Sequence, residues 1–251
     1  MAGKVKILNI KIDKVSMGQT ITKIKKILKD KDRYGFMIVT PNPEIVIRAQ
    51  TDVELARILN SANLAIPDGG GIVLASYLLK DPLPERVAGF DLMQELFLLA
   101  DSRGDSIFLL GGKPGILKQV KENLHKQYKN IDICGIHHGY LDQKEQKQVV
   151  EEINQKKPDL LFVGMGVPLQ EKFLDKYINK MKVKVAMTVG GSFDVLAGEV
   201  KRAPLWMQKL YLEWFYRLIK EPERFGRMLA LPKFVFRVIV ETLRKAGERD
   251  E

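Results

Sequence analysis

Cysteine is nearly absent. The 251 residues hold one, Cys134, so no intramolecular disulfide framework can form and the composition suits a reducing cytoplasm. Histidine is almost as scarce, with three in the chain. His137 and His138 are adjacent, which suits neither i,i+4 ligation on a helix nor two ligands on one face of a strand. No metal site is therefore expected. No apolar run reaches the roughly 18 residues that a spanning helix needs, and the first residues lack the apolar core and cleavage site of a signal peptide. Internal repeats and low-complexity linkers are missing. So are a Walker sequence and a complete dinucleotide fingerprint: Gly164-Met-Gly166-Val-Pro-Leu169 has no third glycine, and Gly111-Gly112 has a different spacing. These absences speak against a disulfide scaffold, a spanning membrane protein, a P-loop ATPase and a nicotinamide-dependent Rossmann enzyme.

What is present is ordinary in bulk and uneven in detail. A hydrophobic content of 45% with 29% charged residues describes a globular protein, long enough for one large α/β domain or a core with a smaller appendage. Short apolar runs alternate with helical patterns: a strand over 5–12, a helix over 21–28, a strand over 36–39, a helix over 44–60, then strands near 64–66, 106–110, 131–136, 160–163 and 184–189. Continuous apolar strands between helices predict a parallel sheet covered on both faces, a Rossmann-like α/β core. The pattern changes near Lys201-Arg202-Ala203-Pro204. Residues 205–220 and 232–246 read as amphipathic helices, with Lys209, Glu213 and Arg217 as i,i+4 partners on one face. This predicts a core over 1–202 and a basic helical appendage over 203–251.

Charge sharpens that division. Of the net +10, residues 201–240 carry +6, from nine Lys/Arg against three Glu, and they hold both tryptophans, Trp206 and Trp214. A basic, aromatic tail fits nucleic acid, an anionic membrane surface or an anionic small molecule, and charge alone does not choose.

The polar motifs lie at strand ends. Thr40-Pro-Asn-Pro-Glu44 follows one strand and Pro67-Asp-Gly-Gly-Gly71 the next, so two neighbouring strands should deliver polar groups to the carboxyl edge, where open α/β sheets bind ligands. Asp68 reads equally as a helix N-cap or as a general base for a sugar hydroxyl. Thr40 and Asn42 have parallel readings as turn and cap residues. The glycine junctions at Gly111, Gly164 and Gly190 are tight turns that could also let backbone approach a diphosphate. Asp30-Lys-Asp32, at a lysine-rich helix end, reads as a solvated turn rather than a metal-binding acid pair. Without a metal, an anionic leaving group needs cations. Arg86, Arg202, Arg217, Arg224 and Arg227 are the candidates, and each also has a plain reading as a surface charge.

Taken together these residues resemble the WecG/TagA/CpsF family of bacterial glycosyltransferases. The resemblance is carried in order by Thr40-Pro-Asn-Pro-Glu44, Pro67-Asp-Gly-Gly-Gly71, Arg86-Val-Ala-Gly-Phe-Asp91, Gly164-Met-Gly-Val-Pro-Leu-Gln-Glu171, Gly190-Gly-Ser-Phe-Asp194 with Arg202-Ala-Pro204, and Glu213-Trp-Phe-Tyr-Arg217 with Glu221-Pro-Glu-Arg224. It implies metal-independent, inverting transfer of an N-acetylhexosamine-type sugar, such as N-acetylmannosamine, from a UDP-sugar donor to a lipid-diphosphate-linked sugar, undecaprenyl-diphosphate-linked GlcNAc in the teichoic acid branch. Relatives move N-acetylmannosamine-uronic acid or other sugars. On this reading Asp68 is the base, and Thr40 orients the acceptor or Asp68. Asn42, Gly69, Gly70, Arg86, Gly111, Gly164, Gln170, Gly190, Gly191, Arg217, Arg224 and Arg227 bind substrate, with Gln170 on a sugar hydroxyl. The protein is then cytoplasmic and peripheral on the inner membrane face, with no nucleic-acid partner. A homo-oligomer stays open, as do a nucleotide-binding Rossmann enzyme and a nucleic-acid-binding module as rival classes.

Overall fold

The computed structural model describes residues 3–220, 226 and 229–247. Its centre is a six-stranded parallel sheet of β3 (Phe36–Val39), β4 (Leu64–Ala65), β5 (Ser106–Gly111), β6 (Asp132–His137), β7 (Leu160–Gly164) and β8 (Val185–Thr188), in the order β4-β3-β8-β7-β5-β6. Side chains alternate across it and feed two cores. Phe36, Ile38, Phe162 and Met187 face one side, under α1 (Met17–Lys29), α5 (Gly89–Arg103), α6 (Ile116–Gln127) and α9 (Ser192–Ala197). Met37, Val39, Leu161 and Ala186 face the other, under α2 (Pro43–Arg48), α3 (Val53–Ser61), α4 (Gly70–Leu78), α7 (Gln143–Lys156) and α8 (Leu169–Tyr177). Burial on both faces explains why the strands read as unbroken apolar runs.

Three elements differ from their sequence signal. The run over 5–12 is not one strand but a hairpin of β1 (Lys4–Ile7) and β2 (Ile10–Asp13), turned by Leu8 and Asn9 at φ 45° and 67°. Apolar alternation passes through the turn because Val5, Ile7, Ile10 and Ile12 all point into the core. The helix read over 44–60 is two helices. Its second half starts anew at Asp52, whose carboxylate accepts the N–H of Leu55 at 2.9 Å, an N-cap that competes with helix continuation. The helix over 205–220 is also broken, into α10 (Leu205–Lys209) and α11 (Glu213–Lys220), at Tyr211 with φ 60°.

The last described helix, α12 (Ala230–Gly247), returns to the core and packs on α2 and α4. Phe234 and Val238 are buried there, and Glu241 accepts the N–H of Leu8 at 3.1 Å. Its opposite face stays uncovered: Phe236 is 68% and Leu243 67% exposed. Among the described residues no helix is long and apolar enough to cross a membrane.

Candidate active site

A cleft of about 1250 Å³ runs along the carboxyl edge of the sheet, and the exits of all six strands reach it. Thr40 follows β3, Asp68 follows β4, Gly112 follows β5, Gly139 follows β6, Gly164 ends β7 and Gly190 follows β8. Val39 pairs with Ala65 in parallel register, which sets the first two exits side by side. Thr40 Cγ2 lies 3.0 Å and Asp68 Oδ2 3.4 Å from where a Cβ on Gly89 would stand, so the glycine leaves room for both at the start of α5. Asp68 is half-buried and Thr40 buried. Pro67 accepts the N–H of Val87 at 3.0 Å, tying the Arg86 loop to the Asp68 turn. Asn42 also lines the cleft, but its side chain accepts the N–H of Ile45 at 3.0 Å as the cap of α2.

The glycines separate into two kinds. Gly69 (φ 89°) and Gly190 (φ 54°) need the left-handed region and border the cleft, as does the exposed Gly191. Gly111, Gly164 and Gly139 are glycines because the strand exits interlock. A Cβ on Gly111 would overlap the Gly164 carbonyl. One on Gly164 would fall 2.7 Å from both Gly190 O and the Phe193 ring, and one on Gly139 3.0 Å from Gly111 Cα. Gly111, expected to meet substrate, is thus a packing residue outside the cleft lining. Gly70 is another: its missing Cβ makes room for Tyr211, 2.5 Å away.

The cations Arg86 and Arg202 are organised by Glu213 of α11. Arg86 is ion-paired to Glu213. Arg202 reaches Glu213 at 3.2 Å and Asp91 at 2.6 Å, and its guanidinium stacks over Phe90 at 4.7 Å. Burial pushes the Glu213 carboxyl up, yet the Arg86 and Arg202 guanidiniums outweigh it and hold the group below the usual range. Glu213 was expected to face Lys209 and Arg217 on one continuous helix. The break at Tyr211 instead puts it at the start of α11, turned inward. Arg86 and Arg202 both line the cleft, while Arg86 Nε and Arg202 Nη2 are buried without a hydrogen-bond partner. Arg217 lies in α11, with its guanidinium outside the described residues. Arg224 and Arg227 lie outside them altogether.

Gln170, expected on a sugar hydroxyl, lines the cleft at 1% exposure, with both ends of its amide engaged within the protein. Its Oε1 accepts the N–H of Gly190 at 3.0 Å, and its Nε2 donates to Glu171 Oε1 at 2.7 Å. Glu171 is a residue that the pattern of strand ends passed over. Burial pushes its carboxyl up to about 7. The β6–α7 loop was missed as well: Gly139, Tyr140, Leu141 and Asp142 line one end of the cleft, and their signal was a glycine and an aromatic directly after a strand. Among the described residues no three His, Cys, Asp or Glu side chains gather as a metal-binding group. His137 Nδ1 is 3.0 Å from the His138 carbonyl oxygen. Burial pushes the Cys134 thiol up to about 11, which leaves it a poor nucleophile at neutral pH.

The model of the WecG/TagA/CpsF glycosyl transferase family matches residues 5–248. An N-acetylglucosaminyldiphosphoundecaprenol N-acetyl-beta-D-mannosaminyltransferase of Bacillus subtilis (strain 168) is 41% identical over 213 residues, 85% of this chain and 82% of that one. Proteins of the same name from Staphylococcus aureus strains MW2 and MRSA252 are 38% and 39% identical over 235 residues, 94% of this chain and 92% of each.

Proposed function

Since the chain belongs to the WecG/TagA/CpsF family of glycosyl transferases, we propose that it transfers N-acetylmannosamine to N-acetylglucosaminyl-diphosphoundecaprenol, with UDP-N-acetylmannosamine as donor. The observation that carries this reading is the convergence of Thr40 and Asp68 on one point of a long cleft, with backbone turns on its floor and Arg86 and Arg202 in its wall. A base, a polar neighbour and donors for an anion are what sugar transfer from a nucleoside diphosphate requires.

The reaction is a single displacement with inversion. The acceptor hydroxyl oxygen forms a bond to the anomeric carbon of the donor as the bond from that carbon to the diphosphate breaks. The electron pair leaves with UDP, and the hydroxyl proton passes to Asp68. Thr40, against the same Gly89, orients the hydroxyl or the carboxylate. Negative charge grows on the leaving diphosphate. The guanidinium charges of Arg86 and Arg202 in the cleft wall, together with the backbone at Gly69 and Gly191, act on it from fixed positions, where electrostatic stabilisation is most effective. Arg217, Arg224 and Arg227 belong to the same role in this reading, and no divalent ion is needed.

The lipid-linked acceptor asks for contact with a membrane. The exposed face of α12 and the neighbouring α4, with Leu74, Tyr77 and Leu78 exposed, form an apolar surface flanked by Lys233 and Arg237, suited to the interface of an anionic membrane.

UDP release from UDP-N-acetylmannosamine with a lipid-diphosphate GlcNAc acceptor is the direct test, run with EDTA present. Native protein should release UDP only with acceptor, and Asp68→Asn should cut kcat by about 100-fold or more, the usual contribution of a general base, while changing KM little. An Asp68→Asn protein with native kcat would remove Asp68 from the role, and silence with every UDP-sugar would reject the transferase reading.

A further inference from the structure

Glu171 has no part in the chemistry above, yet it is wholly buried one residue from the cleft. A buried carboxylate without a strong partner is costly, and this one has an unusual arrangement. Oε1 accepts from Gln170 Nε2 at 2.7 Å, while Oε2 is buried with no hydrogen-bond partner. The chain of contacts continues outward. Gln170 Oε1 takes the N–H of Gly190, and Gly190 stands in the left-handed region at the exit of β8, where a Cβ would meet nothing within 4 Å. A side-chain amide has two ends, and either could face Gly190. With Glu171 holding the NH₂ end, only the oxygen can.

We propose that Glu171 is a positioning residue: through Gln170 it fixes the Gly190–Gly191 turn in the orientation that receives the donor diphosphate. This rests on the transferase reading. The bond from Gln170 survives protonation of Glu171, since either form offers an acceptor oxygen at Oε1. Ionisation adds a negative charge behind the turn and so weakens donor binding. The charges around it are few. α2 contributes Arg48, which favours the ionised form but less than burial opposes it. α3 contributes Asp52, Glu54 and Arg57, paired at the surface with Lys172 and Asp175 of α8. β8 offers no ionisable side chain, and Lys180 in the turn after α8 is exposed. Thr188, two residues from Ala186 and so on the same face of β8, also has a buried hydroxyl without a partner. Burial holds the carboxyl near 7, so native donor KM should rise as the pH climbs from 6 to 8.

The test combines kinetics with a readout independent of turnover. Glu171→Ala should raise donor KM about tenfold with kcat changed less than about threefold, the signature of lost binding rather than lost chemistry. Glu171→Gln keeps the acceptor oxygen but cannot ionise, so it should restore most of that KM and flatten its rise with pH. In glycine-labelled protein the Gly190 amide resonance should titrate near neutral pH and stop doing so in Glu171→Gln. Should Glu171→Ala fold poorly, Gln170→Ala removes the same link with the carboxyl left in place and should show the same KM effect. A kcat loss at constant KM in Glu171→Ala or Gln170→Ala, no rescue by Glu171→Gln, or a Gly190 amide indifferent to Glu171 would each overturn the proposal. If native protein turns over no UDP-sugar while Gly190 still follows Glu171, the positioning through Gln170 stands and the transferase reading falls.

Discussion

Gly164 has the same hydrogen-for-methyl economy as any glycine, but here the missing atoms are occupied. Its φ is outside the left-handed region, so the reason for glycine is space alone: the Gly190 carbonyl and the Phe193 ring fill the place of a Cβ, both at 2.7 Å. Forced overpacking of this kind costs about 1–3 kcal/mol. Gly164→Ala should therefore lower Tm by several degrees, roughly 2–4 °C per kcal/mol for a chain of this length, as scanning calorimetry would record. Because the displaced atoms belong to the Gly190 turn, the same variant should raise donor KM. An unchanged Tm would mean that the strand exits have slack. This scale also marks a limit of the sequence. Asp68, Thr40 and Gly190 were legible from their place after apolar runs. Gln170 was expected on a sugar hydroxyl, and its bond to Gly190 was not legible, since that partner is 20 residues away and nothing local announces the contact.

At the scale of elements, one charged cluster ties the head of α11 to the elements at the cleft. Glu213 at the head of α11 lies between Arg86 of the core and Arg202, which in turn holds Asp91 at the first turn of α5. Removing one member of a partly buried charged cluster leaves the others uncompensated, so Glu213→Gln should loosen α11, read as faster proteolysis within 205–220 and altered Trp214 emission, and should lower turnover because Glu213 and Trp214 line the cleft. The pH sense follows from the depressed carboxyl. The stabilisation it contributes is full above about 4.5, its ordinary value, and is lost as the pH falls through the lower value of the folded state. Acid should loosen α11 and neutral pH restore it, with α12 held throughout by Phe234 and Val238. A fluorescence transition unaltered by Glu213→Gln would remove the cluster from that role. The helices themselves were readable by period, but their ends were not. Asp52 and Tyr211 break patterns that continue in apolar spacing on both sides, because packing on two different neighbours can sustain one apparent stripe.

For the whole molecule, the sheet was legible because fully buried strands leave unbroken apolar runs, and the cleft because polar residues gather where those runs stop. The order β4-β3-β8-β7-β5-β6 was not, since pairing of distant strands depends on packing that no local window contains. Nor was the two-sided character of α12, whose apolar residues circle the helix: Phe234 and Val238 go inward, while Phe236, Ile239 and Leu243 stay exposed. Flotation with vesicles rich in anionic lipid should capture the native chain, with binding that falls as salt rises. Phe236→Ser with Leu243→Ser should reduce capture about tenfold or more, in line with the apolar area withdrawn, and leave folding intact because neither residue enters the core. Equal capture of the variant would assign the exposed face to something other than lipid.

The strand exits that meet backbone to backbone, Gly139 on Gly111, Gly111 on Gly164 and Gly164 on Gly190, have a consequence for descent. A floor made of main chain has no side chains to exchange, and a Cβ at Gly111 or Gly164 has no room, so a substitution there costs stability along with any change in what these exits hold. The rim is open to exchange instead: substitutions at Phe90, Tyr140, Leu141 and Trp214 alter the shape of the cleft without disturbing the sheet beneath.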